Sequence, residues 1–163
     1  MVSHTIIVTL RTLIKLYTHL LQVSKQKTEV IKDYQLEPLE ELLVTERKLI
    51  QQIDKAESKR YQAVEAWFDS NESSGTKRTI TVMLEKLAAD DSIKSELERL
   101  STQLRDLLTE LKKQEELNQQ LLVQSLQFVH LSLNMMNPSM EQINYGQNDT
   151  SPLLKRSVFD SKA

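Results

Sequence analysis

Residues 93–136 read IKSELERLSTQLRDLLTELKKQEELNQQLLVQSLQFVHLSLNMM, and their apolar spacing decides the fold. Ile93, Leu97, Leu100, Leu104, Leu107, Leu111, Gln114, Asn118, Leu121, Ser125 and Phe128 follow in alternating steps of four and three. That is the repeat of one helix face. Leu108, Leu117, Leu122, Val129, Leu131 and Met135 widen it beyond the narrow seam of a two-stranded coiled coil, so the helix should pack against two neighbours. Pro138 disfavours helical backbone at the residue before it, which places the helix end near 136. The span is then about 65 Å at ~1.5 Å per residue.

Two earlier segments carry the same repeat. In the first, Ile6, Leu10, Leu13, Tyr17, Leu20 and Ser24 form one row, and Ile7, Ile14 and Leu21 lie beside it. Pro38 suits the first turn of a second helix, because its missing N–H has no helical partner there. That helix is expected over 38–69, with Leu42, Glu46, Leu49, Ile53, Ala56, Arg60, Ala63 and Trp67 on its seam and Leu39, Leu43, Ile50, Val64 and Phe68 flanking it. The short connection between the two favours an antiparallel hairpin. Residues 69–79 are the clearest loop. A short helix follows with Ile80, Met83, Leu84 and Leu87, and Asp91 or Ser92 should cap the long one.

The fold class is therefore all-α: an elongated antiparallel bundle of three long helices plus one short crossover helix. Residues 1–136 should form the bundle domain and 137–163 a flexible tail, since the latter lack helical periodicity and are rich in Asn, Ser and Thr. Composition agrees. The chain has 2 Gly among 163 residues, which argues against turn-rich β folds and glycine-rich phosphate loops. It has no Cys, so thiolate chemistry and disulfides are excluded. Its 21 basic and 23 acidic side chains balance, and give no electrostatic reason to expect nucleic acid.

The first acidic residue is Glu29, while Arg11, Lys15, Lys25 and Lys27 precede it. That composition matches a transit peptide or a membrane-surface helix, but the apolar spacing continues unbroken into Val30 and Ile31, as a bundle helix would. Nothing in the stretch reads as a secretory core or a bilayer span. Catalytic or metal-binding constellations are not expected either. His4, His19 and His130 have no ligand spacing, and Asp90-Asp91 lacks the calcium-loop pattern. Glu46 and Arg60 on the second seam are candidates for a buried pair, or for side chains that reach water along their stems. Gln114, Asn118 and Ser125 interrupt the long seam with polar groups, which either fix register or face a partner. Beyond them, 128–136 is apolar on several sides and needs a cover.

Four features read together resemble the FlgN-type flagellar export chaperones. They are Leu13-Ile14-Lys15-Leu16-Tyr17, Leu39-Glu40-Glu41-Leu42-Leu43 through Glu46-Arg47-Lys48-Leu49-Ile50, Leu117-Asn118-Gln119-Gln120-Leu121-Leu122, and a tail with Tyr145-Gly146 and Val158-Phe159-Asp160-Ser161-Lys162-Ala163. The resemblance implies a cytoplasmic, non-enzymatic chaperone without a cofactor. Its clients would be the hook-associated proteins FlgK and FlgL, which it would deliver to the export gate protein FlhA. Carried to this sequence, the client surface would comprise Asn118, Leu121, Leu122, Ser125, Phe128, Val129 and Met135, and Tyr145 would be the candidate for gate docking. A homo-oligomeric structural coiled coil is the rival reading, because a continuous seam also permits it.

Overall fold

The computed structural model describes residues 2–71, 75 and 77–136. Four helices account for nearly all of them: α1 (Val2–Lys32), α2 (Leu36–Ser70), α3 (Ile80–Lys86) and α4 (Ser92–Met136). The fold is all-α, with long helices at the expected places. The predicted tail, including Tyr145, lies outside the described residues.

The α1–α2 hairpin turns on three residues. Tyr34 N–H donates to the carbonyl of Ile31 at 3.2 Å and Gln35 N–H to that of Val30 at 3.0 Å. Tyr34 takes φ 54°, the left-handed conformation that this type of helix ending requires and that glycine usually supplies. Pro38 then falls in the first turn of α2, and the N–H of Leu39 makes the first helical bond, to Gln35 O at 3.3 Å. At the other end of α2, Arg78 ties the connection back onto the helix through Glu65 at 2.6 Å and Asp69 at 2.8 Å. Those two carboxylates hold the Arg78 guanidinium above its usual range. Thr79 Oγ1 accepts from Val82 N–H to cap α3, and Asp91 Oδ1 accepts from Ile93 N–H at 2.9 Å to start α4.

The chain divides into two compact units, Met1–Leu121 and Leu122–Ala163. Within the first, ion pairs join Arg11 to Glu96 and Lys25 to Glu110, an equal offset along both helices, so α4 runs parallel to α1. α2 runs antiparallel between them in sequence. Three bases of the acid-free opening, Arg11, Lys25 and Lys27, thus meet acids carried by α2 and α4 rather than by their own helix. By length and composition α1 could cross a bilayer, more than its sequence suggested, but much of its apolar surface is buried inside the fold.

Two clusters make the core. Ile6, Ile7, Leu10 and Ile14 meet Ala63, Val64, Trp67, Phe68, Met83, Leu97 and Leu100. Leu13, Leu20, Leu21 and Val23 meet Leu49, Ile53, Ala56 and Leu111. Trp67 and Phe68 contact edge to face with centroids 5.0 Å apart. Both predicted rows of α1 are buried, with Tyr17 half-buried, and burial together with nearby Glu57 pushes its phenol above the usual range. On α2 the predicted flank divides: Val64 and Phe68 are buried, whereas Leu43 and Ile50 face solvent.

Phe68 has no exposed surface, so Phe68→Ala should remove about 3–5 kcal/mol of stability, read as a large fall in Tm. Ser101 behaves oppositely. Its hydroxyl is buried and accepts or donates no hydrogen bond. Ser101→Ala should therefore keep or raise Tm, because it removes an unsatisfied polar group and introduces a better helix former.

Candidate binding surface on the last helix

A polar layer crosses the three long helices of the first unit. Asn118 is 2% exposed, and its Nδ2 donates to Ser24 O at 2.8 Å and to Ser24 Oγ at 3.1 Å. Thr28 Oγ1 donates to Asn118 Oδ1, and Gln114 Nε2 donates to Thr28 Oγ1. Ser24 Oγ donates to Glu115 at 2.7 Å. Beside this network the Lys27 ammonium, in a residue 6% exposed, reaches Glu46 at 2.9 Å and Glu115 at 3.1 Å. One residue from each long helix thus meets at one ion triad.

This layer decides between the two readings of the polar seam. Gln114 and Asn118 face α1 and fix the register of α4. A one-residue slip would strand Ser24, Thr28 and Asn118 without partners, which buried polar groups do not tolerate. Asn118 therefore leaves the surface expected to meet a client. Glu46 has its partner in Lys27, and Arg60 has Glu57 at 2.6 Å, so of the two alternatives for Glu46 and Arg60 a pair between them does not form. Fourteen residues separate the two along one straight helix, about 21 Å, which is too far for contact. Lys27 was missed, although it extends the α1 row at a step of three from Ser24.

The remaining candidates separate by exposure. Leu121 and Ser125 are half-buried, while Leu122, Phe128, Val129 and Met135 are exposed, Phe128 at 57%. Within the described part of the second unit, 122–136, no residue is buried. There Leu122, Leu126, Val129, Leu133 and Met136 recur in steps of four and three and share one face of α4. Leu126, 69% exposed, was not among the expected contacts. A strict 3.5-residue count drifts by about 20° per heptad on an ordinary helix, so a seam counted from Ile93 no longer marks the apolar face by residue 125.

The chemistry of this face is unusual for an exposed helix. From 117 to 140 the sequence contains no Asp, Glu, Lys or Arg. The polar residues among 122–136 are Gln124, Ser125, Gln127, His130, Ser132 and Asn134. The face offers apolar burial and neutral hydrogen bonds, and no fixed charge. Elsewhere, a cleft of about 520 Å³ between α2, α3 and α4 has Leu104 and Leu108 in its lining, and the Glu57 and Arg60 of its wall are paired with each other.

The structural role of Asn118 is open to direct measurement. Asn118→Ala should lower stability by about 1–3 kcal/mol, because it removes the buried hydrogen bonds to Ser24 and Thr28 and leaves a void beside them. Leu126→Ala, on an exposed side chain, should move Tm little.

Comparison with known proteins agrees with the resemblance. The family model described as FlgN protein matches residues 1–152. An uncharacterized protein of Bacillus subtilis (strain 168), YvyG, is 35% identical over 166 residues that cover 100% of both chains. No solved structure matches. The match spans the bundle and the exposed end of α4 alike, and the chain belongs to the FlgN family, with the flagellar export chaperone role which that family carries.

Proposed function

We propose that this chain is a cytoplasmic chaperone for the hook-associated proteins FlgK and FlgL. It holds their terminal helices before export and hands them to FlhA. The observation that supports this reading is the uncharged, exposed apolar face at the end of α4 in a chain of this family. A subunit that polymerises through an amphipathic helix needs that stripe covered until export, and a second helix with a regular apolar face can cover it. The client surface is the face of Leu122, Leu126, Val129, Leu133 and Met136, flanked on the next side of the helix by Phe128 and Met135, with Leu121 and Ser125 at its border. Met135 and Met136, unbranched and polarizable, suit a contact that adapts to two different clients. Tyr145 remains the candidate for gate docking.

Co-expression with tagged FlgK and FlgL, each with and without its C-terminal helix, tests the reading. The intact clients should retain the chain and the truncated ones should not. Failure of both intact clients to retain a folded chain would refute it. Phe128→Asp should abolish co-purification while helicity and Tm stay nearly unchanged, since an exposed position carries little of the bundle's stability.

A further inference from the structure

We infer that the cleft between α2, α3 and α4 is a second docking site, and that it takes an acidic amphipathic helix of another protein. The site lies wholly within the first unit, Met1–Leu121, and the inference does not rest on the client reading.

Shape selects a helix. Ile80 and Leu84 of α3 and Leu104 and Leu108 of α4 give the cleft of about 520 Å³ an apolar lining, and Leu108 is exposed. The apolar surface does not stop at the cleft. Leu43, Ile50 and Glu57 recur every seven residues and so share one face of α2. Glu57 belongs to the cleft wall, and Leu43 and Ile50 carry the same face onward as exposed side chains. From Leu43 to Glu57 that lane is about 21 Å long at ~1.5 Å per residue, and the cleft extends it. A compact small molecule would fill the cleft and leave the lane bare. A helix of about 18 residues, ~27 Å long, covers both.

Charge selects the sign of the partner. The ionisable side chains in the cleft lining are Glu57, Arg60, Arg105 and Lys112. Glu57 and Arg60 hold each other at 2.6 Å. Arg105 and Lys112 are exposed, and among the described residues neither makes an ion pair. Of the acids within a turn of Lys112, Glu115 is held by Lys27, and Glu116 is not paired with it. On α2 the flank of the lane alternates in sign through Glu40, Arg47 and Asp54, so the α4 edge sets the sign of the site. Arg105 and Lys112 are two turns apart on that edge, about 10 Å, which is the spacing of carboxylates two turns apart on a docked helix. A neutral helix laid over the lane would take water from both cations without replacing it, and a basic one would add repulsion.

Fluorescence polarisation of the full chain with a labelled peptide of about 18 residues reads this directly. The probe carries leucines at helical steps of four and three with glutamates on its flanks, and its twin carries lysines in place of the glutamates. The acidic probe should bind at least about tenfold more tightly than its twin, and added salt should narrow the difference. Arg105→Glu with Lys112→Glu should reverse the preference. Lys55→Glu with Lys59→Glu, the same change of charge in the groove between α1 and α2, should keep it, and so should Phe128→Asp on the proposed client surface. All five positions are exposed, so helicity should be unchanged in each variant. Binding of neither probe, binding of both alike, or a preference that survives the Arg105 and Lys112 changes overturns the inference and leaves the client reading intact. Loss of binding with Phe128→Asp overturns it too, by moving the contact to the end of α4. Sedimentation without peptide tests the other occupant: self-association that the Arg105 and Lys112 changes abolish assigns the cleft to a second copy and overturns the inference.

Discussion

The structure depends on a lysine that lies where a leucine would be expected. Lys27 continues the core row of α1, and its ammonium is held by Glu46 of α2 and Glu115 of α4. Stripping water from that cation is costly, and the two carboxylates offset the cost only when all three helices are in one register. Ser24, Thr28, Gln114 and Asn118 add directional bonds to the same requirement. Apolar contact alone would not discriminate so sharply, because leucines at a repeating spacing pack nearly as well one heptad away. The polar layer converts a generic helical repeat into one arrangement.

That fixed register has a consequence for the rest of α4. Its Leu97, Leu100 and Leu111 enter the core, whereas Leu126, Leu133 and Met136 remain in solvent. The long helix therefore has two kinds of apolar residue, one packed in the core and one exposed, and sequence hydrophobicity does not separate them. Charge does. Up to Glu116 acids and bases punctuate α4, and several pair with α1. Beyond it they cease until Glu141. A helix whose apolar residues face its own bundle needs charge on the other side for solubility.

Much of this was legible before the structure. Helix positions followed from spacing, with Pro38 in the first turn of α2 and Asp91 capping α4, because capping chemistry is local; α2 begins two residues before Pro38 and takes in Asp69 and Ser70 of the expected loop. The rows of α1 were legible because that helix is buried on a broad face. What was not legible depended on the other helices. Lys27 was missed because a lone lysine is usually solvated, and only the two acids facing it make its burial tolerable. Leu43 and Ile50 on α2 sit one position beyond the core row, and their exposure follows from where α4 lies, which no spacing within α2 encodes. Tyr34 occupies the left-handed position that a glycine would have announced. At the end of α4, buried Asn118 was grouped with its exposed neighbours by sequence proximity, and the exposed Leu126 was overlooked because the heptad count had drifted.

On the proposed reading, in which the exposed end of α4 holds a client, the lack of charge there also constrains how that client arrives and leaves. Electrostatic steering accelerates encounter between complementary charged surfaces, and it is unavailable here. Association then proceeds at the ordinary rate of unsteered proteins, and differences between ligands fall on dissociation. Neither salt nor a modest pH change would loosen such a contact, since screening acts on charges and excluded salts strengthen apolar burial. Release must come from another surface that competes for the same leucines and methionines. A chaperone that holds a client by this face gives it up by exchange, and the exchange partner must itself present an apolar helix of the same period.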